Sequence, residues 1–208
     1  MTPPLITQLT AVTISAAVLA ACGGPGAPLG PPSPKDILAK PLHSNLKDAH
    51  FVVTGKFTQQ GVSVDLAGDG QLVYRAPGAG RFKFETTVAG HKVSYEDISI
   101  NGKDYTFSDP GTGKWTVRTT TSGLGPQSFS GVSDFKYVGE ENLAKGKAWH
   151  ATAKDKDGNA FEGWIRESDG YPLKYLIAQQ TNALTLIFDR FNAGATISPP
   201  PASQVVQS

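Results

Sequence analysis

The chain has 208 residues and a net charge of +1, from 19 basic and 18 acidic side chains. A balance this close to neutral gives no electrostatic basis for binding nucleic acid, which needs a clustered excess of Lys and Arg. There is one cysteine, Cys22, so the fold does not depend on an internal disulfide bond.

The N-terminal segment has the features of an export signal. Residues 10–21 form an uncharged run of small and apolar side chains, too short for a transmembrane helix but of the length of a signal-peptide core. The tetrad that ends this run resembles a lipobox, the sequence at which bacterial lipoproteins are acylated and cleaved: Leu19, Ala20, Ala21 and Cys22. We therefore predict a lipoprotein signal peptide over residues 1–21 and lipid attachment, including a palmitate-type chain, at Cys22.

A spacer is predicted between the lipid and the folded domain. Residues 23–34 contain four glycines and five prolines and no hydrophobic period. Such a segment forms neither a helix nor a central strand. The lipidated cysteine and this tether, residues 22–34, would anchor the protein to the membrane and hold the domain away from the lipid surface.

One helix is predicted at the start of the domain. Ser33 is a candidate N-cap and Pro34 occupies the first helical position. Three leucines recur every four residues and predict one apolar stripe: Leu38, Leu42 and Leu46. Pro41 is expected either to kink this helix or to split it into a short turn and a second helix that begins at Leu42.

From His50 onward the hydrophobic period is two, which is typical of half-buried strands. Glycine, Asn and Asp separate the segments and predict tight turns, so successive strands should be antiparallel neighbours. The predicted turns are Gly68-Asp69-Gly70, Asn101-Gly102, Asp157-Gly158-Asn159 and Asp169-Gly170. The acidic pair Glu96-Asp97 is interpreted as a solvated strand end.

The predicted fold is therefore mainly β. About ten or eleven antiparallel strands form one sheet, which must twist and curl at that length. A strongly curved sheet around the single short helix, a half-open barrel, buries the apolar face most completely. This domain is predicted over residues 35–198, followed by a proline-rich tail, residues 199–208.

Six segments follow one another in a characteristic order: "LKDAHFVVTGKF", "GDGQLVY", "INGKDYTF", "GKW", "GWIRESDGYPLKYLI" and "LTLIFDRFNAGATISPPPASQV". Together they resemble the LppX/LprG family of cell-envelope lipoproteins and, more distantly, the LolA/LolB-like lipoprotein carriers. The resemblance implies a LolA-like fold that holds acyl chains between helix and sheet. It also implies transport of a lipid or glycolipid in the envelope, with an envelope transport protein as partner.

Strand alternation within this fold predicts which side chains line the ligand. The predicted lining residues are Phe51, Val53, Phe57, Phe82, Phe84, Val88, Leu173, Tyr175 and Ile177. Three tryptophans have two interpretations, pocket lining or core packing: Trp115, Trp149 and Trp164. The segment "TTTSGLGPQSFSG", residues 119–131, is either a lid at the cavity mouth or a flexible connection.

The sequence contains no motif that predicts an enzyme. The four histidines form no HxxxH or HxH pair, and neither a GxSxG elbow nor a phosphate-binding glycine loop occurs. The segment "DKDGN" lacks the ligand pattern of a calcium loop. No catalytic residue, metal site or cofactor is predicted.

Two functions remain open at this point. The first is an extracytoplasmic, membrane-anchored carrier of an amphiphile: a lipid, a glycolipid or a lipoprotein acyl chain. The second is a structural or protein-interaction lipoprotein with a filled core and no cargo. The interior discriminates between them, because a carrier needs apolar space for its ligand.

Overall fold

A computed structural model of the chain describes residues 30–59, 62–88, 90–120, 132–154, 158–179 and 182–207. The chain divides into residues 1–30 and residues 31–208, and the following description concerns the second unit. The predicted signal peptide, the lipobox with Cys22, and most of the segment over residues 119–131 lie outside the described residues.

The described chain contains one α-helix and twelve strands. The helix α1 spans Pro34–His43. The first meander comprises β1 (Asp48–Gln59), β2 (Val62–Val73), β3 (Ala79–Val88), β4 (His91–Ile100), β5 (Lys103–Asp109) and β6 (Trp115–Thr119). The second comprises β7 (Ser133–Leu143), β8 (Gly146–Lys154), β9 (Ala160–Arg166), β10 (Pro172–Gln179) and β11 (Asn182–Phe191), and a short helical turn, Ala202–Gln204, precedes β12 (Val205–Gln207).

All twelve strands belong to one sheet, in the order β12-β6-β5-β4-β3-β2-β1-β11-β10-β9-β8-β7. The two meanders are joined where β1 pairs with β11, and every pairing is antiparallel except that of β12 with β6. The predicted fold class, one curved, mainly antiparallel sheet around a single helix, is confirmed. The prediction of ten or eleven strands did not include β12, which is formed by residues of the C-terminal tail.

The helix begins as predicted but ends differently. The Ser33 Oγ accepts a hydrogen bond from the Asp36 amide at 3.2 Å, so Ser33 is the N-cap. The helix continues through Pro41 and ends at His43, so of the two alternatives for Pro41 the split, with a second helix that begins at Leu42, is wrong. The predicted leucine stripe is also wrong at Leu42, which is 40% exposed. The helix instead buries Ile37, Leu38 and Pro41, and Leu42 lies beyond the edge of this packed face.

The predicted turn at Gly68-Asp69-Gly70 is wrong, because β2 runs unbroken through it and pairs with both neighbours. These glycines serve close packing instead. A Cβ atom on Gly70 would lie 2.3 Å from the Phe51 Cζ, and one on Gly68 would lie 2.1 Å from the Lys83 carbonyl oxygen. Glycine is required at both positions because the neighbouring strands and the Phe51 ring occupy the space of a side chain.

The other predicted turns connect strands. Asn101 and Gly102 have φ angles of 53° and 69° and join β4 to β5, as the Asn-Gly signal predicted. Gly170, with a φ of 76°, lies in the connection between β9 and β10. The connection between β8 and β9 contains Gly158, with a φ of 81°, while Asp157 lies outside the described residues.

The tail is built into the fold. The Asp48 carboxylate is 1% exposed and accepts hydrogen bonds from the Ala193 amide at 2.8 Å and the Gly194 amide at 3.1 Å. Residues 195–197 then line a cleft of about 370 Å³ together with Val73, Ala79 and Ile100. The chain ends by adding β12 to the edge of the sheet, so residues 192–207 extend from the middle of the sheet to β6. No helix in the described part of the chain is long and apolar enough to cross a membrane.

Candidate ligand-binding face

The face of the sheet that carries the Phe51 side chain is called the inner face. The strand registers identify the other residues that lie on it. One row across the first meander runs through Phe51, Gly70, Phe82, Asp97, Thr106 and Thr116. The two adjacent rows run through Val53, Gly68, Phe84, Tyr95 and Ser108 and through Ala49, Leu72, Gly80, Ser99, Asp104 and Arg118. The inner face therefore changes from apolar at β1 to polar at β5 and β6.

The part of the inner face near α1 is filled by protein side chains. The helix contacts β7, β8 and β9, and a Cβ atom on Gly163 of β9 would lie 2.5 Å from the Leu38 Cδ2. Phe188 is fully buried between Phe51, at 5.5 Å between ring centroids, and Tyr175, at 5.2 Å. Rings and helix side chains thus pack against each other directly in this part of the core.

An aromatic strip, Phe82, Phe84 and Tyr95, follows on β3 and β4. Its ring centroids are 5.4 Å apart between Phe82 and Phe84 and 5.0 Å apart between Phe84 and Tyr95. Each of the three residues is only partly buried. Phe82 also contacts Phe51, at 6.4 Å, so the strip continues the buried core toward the polar strands.

A polar cluster, Asp97, Ser99, Asp104 and Arg118, borders the aromatic strip on the same face. The Arg118 Nη2 lies 3.2 Å from the Asp104 Oδ2, and the Asp104 side chain is 4% exposed. The Ser99 hydroxyl donates to the other Asp104 oxygen and lies 3.4 Å from the Asp97 Oδ1. One carboxylate is therefore buried and paired with a guanidinium, while the other has the serine hydroxyl as its neighbour.

The environment of Asp97 alters its ionisation. Burial, and then the nearby charge of Asp104, raise the pKa of Asp97 to about 6 from its ordinary value of 3.8, while the Ser99 hydrogen bond and Arg118 oppose the change. Burial and the Asp97 charge likewise raise the pKa of Tyr95. At pH 7 the inner face thus carries an ionised carboxylate that the folded domain disfavours.

This shift predicts that Asp97→Asn stabilises the domain at neutral pH. The pKa of Asp97 is higher in the folded than in the unfolded protein, so folding favours the protonated carboxyl. The corresponding contribution to the free energy of unfolding is complete below about pH 4, the pKa in the unfolded chain, and is lost as the pH rises through about 6. Asparagine stays neutral at every pH and avoids the cost of the buried charge, so we expect Asp97→Asn to raise the free energy of unfolding at pH 7 by about 1–3 kcal/mol. Urea unfolding at several pH values measures it, and parallel pH profiles for the two proteins would contradict it.

The structure separates the predicted lining residues into several groups. Phe51, Val53 and Tyr175 are at most 2% exposed and belong to the filled core. Phe82, Phe84 and Ile177 are partly buried and pack against that core. Val88 is 39% exposed near the end of β3. The Phe57 side chain lies outside the described residues.

Strict alternation predicted that Leu173 shares the face of Tyr175 and Ile177. This prediction is wrong. Leu173 packs with Ala148 and Trp164, and Trp164 shares the outer face with its cross-strand neighbour Lys174. The reason is a bulge: Pro172 pairs with Ile165 and Lys174 pairs with Trp164, which leaves Leu173 as an extra residue.

Two of the tryptophans lie on the outer face and do not line the inner one. Trp164 stacks on His150 at 4.0 Å, and Trp115, whose strand neighbour Thr116 faces inward, packs on Phe107 at 5.5 Å. Trp149 packs against the core, with the Lys40 Nζ 5.1 Å from its ring centroid. Within the described ranges, no three His, Cys, Asp or Glu side chains are arranged to hold a metal ion.

The sequence pattern did not predict the polar cluster. Asp97 is not a solvated strand end, because it is partly buried in the middle of β4. Its partners lie 2, 7 and 21 residues further along the chain, and only the pairing of β4, β5 and β6 brings them onto one face. The sequence signal that could have indicated the cluster was the pair of polar residues at alternate positions of one strand, Asp97 and Ser99.

No protein-family model and no curated protein matches the chain. Among solved structures, it is similar to an uncharacterized conserved protein from Thermus thermophilus, with a TM-score of 0.53 at 16% identity over 84% of this chain and 98% of that one. Also similar are LprF from Mycobacterium bovis (TM-score 0.49, 17% identity, 82% and 99% of the chains) and the lipoprotein LppX from Mycobacterium tuberculosis (0.47, 13%, 79% and 99%). The likeness to the Thermus protein shows a shared fold. LprF and LppX, members of the family that the sequence resembles, are among the similar structures.

Proposed function

We propose that the protein is an extracytoplasmic, membrane-anchored lipoprotein that holds an amphiphile on the open part of its inner face. The hydrocarbon of the ligand lies on the aromatic strip, and its polar end lies at the polar cluster. One observation carries the proposal: within a single row of the sheet, the inner face passes from Phe51 and Phe82 to Asp97 and Thr106. A face graded in this way matches a molecule that is apolar at one end and polar at the other.

The energetics favour the aromatic strip as the place for the hydrocarbon. Phe51 and Val53 are already buried by protein, so a ligand gains little by covering them. Phe82 and Phe84 retain exposed apolar surface. Each methylene group that a ligand buries there contributes about 0.8 kcal/mol. In this proposal the strip is the contact surface and the buried core is its support.

The proposal is supported by the fold and by the N-terminal sequence. The sequence resembles the LppX/LprG-type envelope lipoproteins, and LprF and LppX are among the solved structures to which the chain is similar. The lipobox with Cys22 supports anchoring outside the cytoplasm, where such a protein exchanges its cargo with an envelope transport protein. We propose binding and transfer rather than catalysis.

The test is native mass spectrometry of protein purified without detergent, with extraction and identification of bound lipid. We expect lipid in the wild-type protein and reduced occupancy in Phe84→Ser, which places a polar side chain in the aromatic strip. The matched control is Phe107→Ser, because Phe107 is likewise a partly buried ring but lies on the outer face. Absence of lipid from the wild type, or equal loss in the two variants, would contradict the proposal.

A second prediction concerns the anchor. Cys22→Ala removes the thiol to which the lipid would be attached, so we expect the protein to leave the membrane fraction or to accumulate as an unprocessed precursor. Cell fractionation with immunoblotting measures both the location and the size. Unchanged membrane retention at unchanged mature size would refute lipidation at Cys22.

The alternative, an interaction lipoprotein without cargo, is favoured by one observation. Direct packing of Leu38 over Gly163 and of Phe51 over Gly70 fills the part of the core near the helix. If that packing extends over the aromatic strip, no ligand has access to it. Stable, lipid-free protein that rebinds no amphiphile would establish this alternative.

A further inference from the structure

One end of the sheet, the end at which β1 begins, carries an excess of positive charge and is called here the basic end. The strand registers bring seven segments to it: residues 44–49, 72–80, 99–104, 118–120, 142–147, 165–173 and 190–194. These segments contain eight basic and four acidic residues, a net charge of +4 in a chain of net charge +1. The same count at the opposite end gives four basic and four acidic residues.

The carboxylates of the basic end are engaged within the protein. Their partners are the amides of Ala193 and Gly194 for Asp48, the Arg118 guanidinium for Asp104, the Lys147 Nζ at 3.4 Å for Glu167 and the Arg166 Nη2 at 2.7 Å for Asp169. Four exposed cations have no carboxylate partner among the described residues: Lys47, Arg75, Lys103 and Lys145. The positive potential of this end is therefore directed to solvent.

Hydrogen bonds join the two meanders at the basic end. The Lys47 amide donates to the Asn192 Oδ1 at 2.7 Å, and the Tyr74 amide donates to the Lys47 carbonyl oxygen at 2.9 Å. The Tyr171 hydroxyl donates to the Asn45 Oδ1 at 2.6 Å. The basic end is thus one surface to which both meanders contribute.

We propose that the basic end docks on the anionic lipid headgroups of the membrane that holds the protein. Each Lys or Arg close to an anionic lipid surface strengthens binding about fivefold. This inference rests on the anchoring proposed for Cys22 and goes beyond it by assigning the docking face. Asp104 and Arg118 of the polar cluster belong to this end, so a docked domain presents the polar end of its ligand to the membrane.

The length of the chain before the domain is compatible with this orientation. Residues 23–33 join Cys22 to the start of α1 and reach up to about 34 Å at about 3.1 Å per residue. The helix itself is about 15 Å long and ends at the basic end, where a Cβ atom on Gly170 would lie 3.2 Å from the Lys40 Cβ. The tether is therefore long enough to span the helix and let the basic end reach the lipid.

The experiment uses the mature, lipidated protein reconstituted in vesicles of phosphatidylcholine alone or of equal parts of phosphatidylcholine and phosphatidylglycerol. Acetylation by a water-soluble reagent, read by mass spectrometry, reports which lysines the membrane covers. We expect Lys47, Lys103 and Lys145 to react at least about fivefold more slowly on the anionic vesicles. Lys92 and Lys114, at the opposite end, should react equally on both. High salt should abolish the difference.

Two double variants test the cause. Lys47→Gln with Lys103→Gln removes two exposed cations of the basic end, so Lys145 should lose most of its protection. The matched control, Lys92→Gln with Lys114→Gln, removes the same charge from exposed positions at the opposite end and should leave that protection intact.

The outcomes separate docking from anchoring. Equal reactivity of the basic-end lysines on the two kinds of vesicle, or equal slowing at both ends of the sheet, would overturn the docking face. Slowing that depends on protein density and not on anionic lipid would also overturn it and assign the surface to contacts between copies of the chain. Failure of the protein to sediment with phosphatidylcholine vesicles would instead refute the proposed anchor.

Discussion

Gly70→Ala is expected to destabilise the domain by at least about 3 kcal/mol, which exceeds the usual effect of overpacking a core. The new Cβ would lie 2.3 Å from the Phe51 Cζ and 2.6 Å from the Arg81 carbonyl oxygen. The Phe51 ring is 1% exposed and contacts both Phe82 and Phe188, so it has no free space into which to move. Guanidinium chloride unfolding measures the change.

Two further variants test the explanation. Phe51→Leu shortens the clashing side chain, so the double variant should lose less stability than the sum of the two single changes. The Arg81 carbonyl remains, and the rescue should therefore be incomplete. Gly30→Ala, with no atom within 4 Å of the added Cβ, should be neutral. Strict additivity of the two core changes would show that Gly70 is needed for another reason.

Asp48→Ala should destabilise the domain by roughly 3–5 kcal/mol, because it leaves the amides of Ala193 and Gly194 without their charged acceptor. The effect should be localised as well as global. Hydrogen exchange is expected to accelerate at residues 193 and 194 and in β12 before it accelerates in β1. Asp48→Asn keeps one acceptor oxygen and should lie between the two. Unchanged exchange in the tail would refute a role for Asp48 in holding it.

Local signals in the sequence predicted the local structure well. Ser33 and Pro34 mark the helix start because capping depends on neighbouring residues only. Asn101-Gly102 forms a tight turn because two successive positive φ angles need these residue types. The alternation of Phe82 and Phe84 with charged side chains identified β3 as a strand with one buried face. The strand pattern and turn signals together predicted the curved sheet around one helix, and the resemblance to envelope lipoproteins identified this fold as LolA-like.

The errors arise where a residue responds to distant parts of the chain. Gly70 resembles a turn residue, but its conformation is extended and its role is to admit the Phe51 ring. Leu42 fits a leucine repeat, yet the position of the helix on the sheet buries Ile37 instead. Leu173 changes face because of one extra residue in β10, which periodicity alone does not reveal.

The candidate site was predictable only in its apolar part. Phe82 and Phe84 follow from alternation within one strand. The polar cluster needs three strands in register, and Arg118, the partner of Asp104, lies on β6.

The pairing of β1 with β11 has a consequence for the folding kinetics. It joins Ala49 to Phe191, whereas each meander is assembled from hairpins between neighbouring segments. Closing so long a loop costs chain entropy before any contact compensates for it, and such pairings slow folding. During synthesis, β1 to β6 emerge long before β11, so the edge of β1 stays unpaired until nearly the whole chain is available. A chain that is exported before it folds would avoid aggregation through that edge inside the cell.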